Sequence, residues 1–304
     1  MTGRKLTTRA PAKVNLHLTV TGRRPDGYHL IETLMVKLDL SDRVEIVLRD
    51  GGLRLRLRRA DLPADEGNLA FRAAQAFFRA AGRPAGAWIT LEKNIPVAAG
   101  LGGGSSDAAA VLLGLEELHG RPLGLERLRS LGLTLGADVP FFLHPAAAAW
   151  ATGIGEELRP GPNLLKTWLL LVNPGWPLST AEVYKNLKLK LTRDKRNHIV
   201  SGLNASSFTI AQVLHNDLET VVLPKYPEVE FIKQRLLEAG AEGALMSGSG
   251  PTVFGMFSTR PQMNRARRQM EGLGKGRWNL LPTFTPPAAR KSRSGPVAGP
   301  AAKD

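Results

Sequence analysis

The first sixty residues alternate apolar and polar positions with period two, the spacing of half-buried strands. The segments LTTRAPAKVNLHLTV, TLMVKLDL, RVEIVLR and GLRLRLR all read this way. In the last of them Leu53, Leu55 and Leu57 are expected to point inward and Arg54, Arg56 and Arg58 outward. The period then changes to a helical one in NLAFRAAQAFFRAAG, with Asn68 as the predicted cap and Gly82 as the stop. AWITLEK at 87–93 predicts a strand, 106–119 a strongly apolar helix, and GLERLRSLGLTLG one helix more.

From about residue 160 the pattern differs. WLLLVNP predicts a strand, STAEVYKNL the start of a helix, and PEVEFIKQRLLEAG an amphipathic helix. GALMSGSGPTVFGMF is expected to turn from a helix into a strand at Gly248, Ser249 and Gly250, followed by a helix through RARRQMEGL and a strand near RWNLLPTF. Strands bunched ahead of helices in the first half point to α+β and away from a doubly wound dinucleotide fold. The order in the second half is compatible with a small split βαβ sandwich. The expected division is 1–160, 161–285 and a basic tail at 286–304.

Composition narrows the chemistry. With 43% hydrophobic and 22% charged residues, 304 residues can bury a sizeable core unaided. The absence of cysteine excludes disulfides, thiolate zinc sites, iron–sulfur clusters and cysteine nucleophiles, and a cytoplasmic location is expected. MTGRKLTTRA lacks the apolar stretch of a signal peptide, and TWLLLV is too short to span a bilayer, so no membrane partner is expected. The net charge of +14 raises a nucleic-acid hypothesis. Its charges, however, fall on the arginine strand at 52–60, a polar connection at 188–198 and the Pro/Ala/Gly/Ser-rich tail, which is expected to be disordered. No aromatics interleave these runs, so solvated faces and small polyanionic substrates are expected, not nucleic acid.

One stretch stands apart: GLGGGSSDAAAVLL at 100–113, with four glycines in five positions. Glycine loses more conformational freedom on folding than any other residue, so such a loop is costly. Placed between a strand and a helix that Ser105 or Ser106 can cap, its bare N–H groups would form an anion site strengthened by the helix dipole. A flexible turn with a good cap would show the same residues. The chain contains neither a Walker A string, nor a Rossmann fingerprint, nor the HRD and DFG of protein kinases. Nucleotide phosphates would therefore be bound by another architecture.

Three further segments carry polar groups. In PAKVNLHLTV the residues Lys13, Asn15, His17 and Thr19 share one strand face, suited to anions or to the wet side of an edge strand. In LGADVPFF, Asp138 precedes an apolar stretch and needs a cation if its surroundings are dry, although a simple turn aspartate fits as well. In GALMSGSGPTVFGMF, Ser249 lies in S-G-S-G before a strand, which is the wrong context for a serine nucleophile. The six histidines show no metal-ligand spacing.

PVAAGLGGGSSDAA resembles the second signature of the GHMP kinase superfamily. PAKVNLHL with GRRPDGYHLIET, LGADVPFF, ATGIGEEL, NDLE and GALMSGSGPTVFG follow the order of its cytidylyl-substrate branch. The resemblance covers about residues 8 to 257. It implies a two-domain α+β GHMP kinase fold, the first half like the second domain of ribosomal protein S5 and the second ferredoxin-like. It also implies phosphorylation, with ATP as co-substrate and Mg²⁺, of the 2-hydroxyl of a cytidine-diphosphate-linked methylerythritol on the non-mevalonate route to isoprenoids.

By the same resemblance Lys13 and Asp138 are the catalytic pair, and Asn15, Tyr28, His29 and Tyr184 contact the substrate. Pro96, Val97, Ala98, Ala99, Gly100, Leu101, Gly102, Gly103, Gly104, Ser105 and Ser106 hold the ATP phosphates, while Lys93 and Asn68 frame the nucleotide. A kinase of the superfamily acting on mevalonate, homoserine or a sugar is the main alternative, and an RNA-binding protein a more distant one. Trp176 and Leu178 are bulkier than that pattern. Asp107, a carboxylate at a phosphate-binding helix, is expected to turn outward or to engage metal or lysine.

Overall fold

The computed structural model describes residues 3–60, 62–187 and 213–286. The expected polar connection at 188–198 and the basic tail beyond 286 lie outside the described residues. In chain order the first half contains β1 (Lys5–Arg23), β2 (His29–Leu48), β3 (Gly52–Arg58), α1 (Leu69–Ala80), β4 (Gly86–Glu92), α2 (Gly103–Leu118), α3 (Leu125–Leu135), α4 (Val139–Leu143), β5 (Ala148–Thr152) and β6 (Glu157–Pro160). The second half contains β7 (Trp168–Asn173), α5 (Thr180–Lys185), β8 (His215–Asn216), α6 (Glu219–Lys225), α7 (Pro227–Glu238), β9 (Gly243–Met246), β10 (Val253–Phe257), α8 (Arg260–Leu273) and β11 (Asn279–Phe284).

The two runs TLMVKLDL and RVEIVLR form one strand, β2, which pairs antiparallel with β1 along nearly its whole length. The first sheet has the order β3-β4-β2-β1-β8, and β5 and β6 extend it from β2. β3 alternates as its leucines and arginines predict, with Leu55 buried and Arg54, Arg56 and Arg58 exposed. The helices cover one face of this sheet. Asn68 caps α1, its Oδ1 accepting from the N–H of Ala70 at 3.0 Å. α1 sends Phe77 and Phe78 into the core, edge to face with centroids 5.7 Å apart. α2 crosses so close to β2 that a methyl on Gly114 would lie 2.6 Å from Ile46 Cδ1.

The second sheet has the order β11-β7-β10-β9, with every neighbouring pair antiparallel. This is the split βαβ arrangement the element order suggested. Ile232 and Leu236 of α7 and Met263, Ala266 and Met270 of α8 pack on one of its faces. The other face, through Leu169, Leu171, Leu245 and Phe254, meets Val14, Leu16, Leu34 and Val36 of the first sheet. β8 crosses back to pair in parallel with β1 at His17 and Leu18.

These contacts decide the character of β1. Its central part is not a wet face, since Lys13, Asn15 and His17 are all buried, although β8 covers its outer edge only at His17 and Leu18. The S-G-S-G segment also differs from expectation. It joins strand β9 to strand β10, because GALM pairs antiparallel with VFGMF instead of continuing a helix.

Phe77 sits at the centre of the helix-covered core with no exposed surface. Phe77→Ala is expected to cost about 3–5 kcal/mol of stability, read as a lowered midpoint in urea without a change in slope.

Candidate active site

A cleft of about 1140 Å³ opens between the two halves. It gathers Lys13, Asn15, Tyr28, His29, Asn68, Lys93, the run from Pro96 to Ser105, Asp138 and Tyr184. Ser106 faces inward instead. It is 1% exposed, and its Oγ has no hydrogen-bond partner.

Neither serine caps the helix after the glycine loop. α2 begins at Gly103, and the cap position is Gly102 in the left-handed region at φ 69°, with no side-chain cap bond. The first intrahelical bond joins the N–H of Ser106 to the carbonyl of Gly102 at 2.9 Å. The N–H groups of Gly103, Gly104 and Ser105 precede it, and the first N–H groups of a helix have no partner within it. Three donors at the positive end of a 16-residue helix form a site for anions.

Two of the glycines are required by close approach. A Cβ on Gly100, at φ 75°, would stand 2.2 Å from the carbonyl oxygen of Ser247 in the β9–β10 turn. One on Gly102 would meet Phe142 Cζ at 2.9 Å and Lys13 Cγ at 3.0 Å. Hydrogen bonds close the same contacts: the N–H of Lys13 donates to Leu101 O at 3.0 Å, and Ser247 Oγ donates to Gly100 O at 3.0 Å. The turn is held in place from below. Asn216 Nδ2 donates to the carbonyls of Met246 and Gly248, both at 2.8 Å, and Glu219 Oε1 accepts from Met246 N–H at 2.9 Å. These two residues of the NDLE string had no role assignable from sequence, because their partners lie about thirty positions away.

Lys13 rises into the cleft between two register shifts of the β1–β2 ladder, at Pro11/Lys13 and Asn15/His17. Such irregularities re-aim side chains next to functional sites. Its Nζ donates to Asn15 Oδ1 at 2.7 Å and lies 3.5 Å from Asp138 Oδ2. Asn15 is oriented in turn by Thr33, whose Oγ1 accepts from Asn15 Nδ2 at 2.8 Å and donates to His17 O at 2.6 Å. Asp138 occupies the cap position of α4 without capping it, so its carboxylate is free to face the ammonium. The lysine side chain is 6% exposed and the aspartate 35%, which leaves one side of the carboxylate open to the cleft.

Tyr184, on α5, and His29, at the start of β2, form a wall with ring centroids 5.1 Å apart. Burial, reinforced by Asp138, pushes the Tyr184 hydroxyl well above its ordinary range, so it stays a neutral phenol. Burial and the neighbouring Arg23 lower His29, so near neutral pH its ring offers one donor and one acceptor. Tyr28 beside it is 60% exposed.

Asn68 and Lys93 have their polar groups engaged by the protein. Asn68 caps α1 and donates to Pro63 O at 3.0 Å, and Lys93 bridges Asp42 and Asp107. Asp107 thus engages a lysine, one of the two expectations for it. Trp176 and Leu178 pack into the second half of the molecule. The indole stacks on Tyr226 at 5.1 Å and donates to Glu228 at 2.9 Å, and Leu178 joins the second core.

Gly100→Ala forces both a positive φ and a backbone overlap. It is expected to destabilise the fold by about 1–3 kcal/mol, as read by thermal melting.

Known proteins resemble this chain over most of its length. Residues 68–145 match the GHMP kinases N terminal domain and residues 203–276 the GHMP kinases C terminal. A 4-diphosphocytidyl-2-C-methyl-D-erythritol kinase of Geobacter sulfurreducens is 48% identical over 268 residues, covering 88% of this chain and 95% of that protein. One of Syntrophotalea carbinolica is 50% identical over 252 residues, covering 82% and 88%. A crystal structure of 4-(cytidine 5'-diphospho)-2C-methyl-D-erythritol kinase superposes with a TM-score of 0.77 at 37% identity, over 92% of this chain and all of that one. A crystal structure of L. major mevalonate kinase shares the fold at 19% identity and a TM-score of 0.72, over 94% of this chain and 99% of that one. The chain belongs to the GHMP kinases, in the family of 4-diphosphocytidyl-2-C-methyl-D-erythritol kinases.

Proposed function

We propose that the chain transfers the γ-phosphoryl group of ATP to the 2-hydroxyl of 4-diphosphocytidyl-2-C-methyl-D-erythritol, with Asp138 accepting the hydroxyl proton and Lys13 as its charge partner. The observation that carries this reading is the 3.5 Å separation of Lys13 Nζ and Asp138 Oδ2 directly beneath the mouth of α2. An alcohol seated against Asp138 would have its oxygen beside the ammonium. The phosphates would lie on the N–H groups of Gly103, Gly104 and Ser105. Lys13 favours the ionised form of the base and balances charge that develops on the transferred group. Phosphoryl transfer asks mainly for positioning and electrostatic stabilisation, and this arrangement supplies both.

The rest of the cleft suits the remainder of the substrate. The Tyr184–His29 wall offers a π-face for a cytosine ring and a neutral imidazole for its polar edge. The net charge of +14 favours a substrate that already carries a diphosphate.

Mg²⁺ fits here as a companion of the nucleotide and not as an ion caged by the protein. The carboxylates lining the cleft are Asp26, Asp107 and Asp138, and each is within ion-pair distance of a cation: Arg24, Lys93 and Lys13 respectively. No group of three or more acidic or imidazole side chains that could hold a metal occurs among the described residues. Mg²⁺ commonly keeps waters and substrate phosphates as most of its ligands.

Purified protein is expected to consume ATP with the cytidylyl alcohol and not with mevalonate or homoserine; equal turnover with either of those rejects the substrate assignment. Asp138→Asn and Lys13→Ala are each expected to lower kcat by about 10²-fold or more. Steady-state rates within a few-fold of wild type would remove that residue from the chemistry.

A further inference from the structure

Beneath the glycine loop lies a buried group of three charges that the chemistry above does not use. Lys93 is the residue just before the loop, and its ammonium bridges two carboxylates. One is Oδ2 of Asp42, in the middle of β2; the other is Oδ2 of Asp107, in the second turn of α2, at 2.5 Å. Asp42 has no exposed surface, and its Oδ1 accepts from the N–H groups of Asn94 at 2.5 Å and Ile95 at 2.8 Å, where the chain enters the loop. Ile95 then packs under the helix start, since a methyl on Gly103 would lie 3.1 Å from its Cγ2. Asp42 therefore grips the loop where it leaves β4, Asp107 grips it where it enters α2, and Lys93 joins the two.

The charges do not balance. One ammonium faces two carboxylates with almost no water to screen them, and the second oxygen of Asp107, Oδ1, is buried without a hydrogen-bond partner. Burial, with the charge of Asp42 adding and that of Lys93 opposing, pushes the Asp107 carboxyl up to about 7. Burial works to lower Lys93, but Asp107 and Asp42 together hold it above its ordinary value, so the ammonium stays charged. The charged groups that face Asp107 are Asp42 from β2 and Lys93 from the end of β4. From α1, α3 and α4, which also pack on α2, no charged side chain pairs with it among the described residues. Lys13 meets the loop from its other side, at Gly102.

We propose that Asp42, Lys93 and Asp107 form a latch that positions the phosphate loop for ATP, and that the charge on Asp107 sets how tightly the triphosphate binds. The proposal rests on reading the loop as the ATP-phosphate site. With Asp107 protonated the latch is neutral; with Asp107 ionised it carries one net negative charge close to a polyanion. The latch therefore weakens ATP binding as pH rises through about 7. Asp42 does this without touching the cleft, through Lys93 and the loop backbone.

ATP ionises in the same pH range, so the test compares variants with wild type at each pH. ATP affinity is measured by calorimetry on the full chain, without the alcohol, at about pH 6 and about pH 8. Asp107→Asn keeps the acceptor for Lys93 and restores one carboxylate per ammonium. It is expected to match wild type at the lower pH and to bind ATP about three- to tenfold tighter at the higher. Asp42→Asn is expected to abolish the same pH difference, while KM for the alcohol stays within about twofold in both variants. A variant-to-wild-type ratio that is the same at both pH values overturns the proposal, and Asp107→Asn decides it alone if Asp42→Asn does not fold. Wild-type protein that binds no ATP refutes instead the reading of the loop.

Discussion

A lysine whose side chain is 6% exposed needs partners for its ammonium, because an isolated buried charge is far too costly to keep. In this protein the partners of Lys13 are the amide oxygen of Asn15 and the carboxylate of Asp138, and the architecture is arranged around bringing them to it. Lys13 and Asn15 come from one strand, so their separation is set by β geometry and by the two ladder irregularities that flank them. Asp138 comes from a short helix more than a hundred residues later, seated on α2 and α3. The second sheet packs against β1 and β2 from the other side and keeps that strand dry. Lys13 itself, on the alternate face, is covered by the loop at Gly102, by Phe142 and by the β9–β10 turn at Gly248.

The glycines follow from the same crowding. Three backbones converge at this point: β1 at Lys13, the loop at 100–102, and the β9–β10 turn at 247–250. Any side chain on Gly100 or Gly102 would occupy space already filled by the Ser247 carbonyl, Phe142 or Lys13. Bare backbone there serves two ends at once. It lets the halves of the molecule close on each other, and it leaves the first amides of α2 open to the cleft. The latch of Asp42, Lys93 and Asp107 adds a third constraint, fixing both ends of a loop whose glycines would otherwise leave it free.

Much of this was legible along the chain. The period-two segments, the Asn68 cap and the α+β class follow from local pattern, because strands and amphipathic helices impose their own spacing on apolar residues. The glycine run between a strand and a helix marked where bare backbone is needed, and the close approaches at Gly100 and Gly102 are there. GHMP membership was legible from motif order, and the comparisons with known proteins agree with it. The expectation for the capping serines did not survive. A helix can begin on glycine when neighbouring backbones dictate its start, so α2 opens at Gly103 and Ser106 turns inward.

Sequence alone thus determined which segments become strands and helices, where bare backbone is concentrated, and which residue types are available for phosphoryl transfer. Tertiary structure decided that the polar face of β1 is buried, that Lys93 spends its ammonium on the scaffold, and that Asp42, Asn216 and Glu219 support the loop and its neighbouring turn. The reason is distance along the chain. Periodicity records what a residue does with neighbours a few positions away, whereas these roles depend on partners from about thirty to more than fifty positions off, or on distant segments folded over β1.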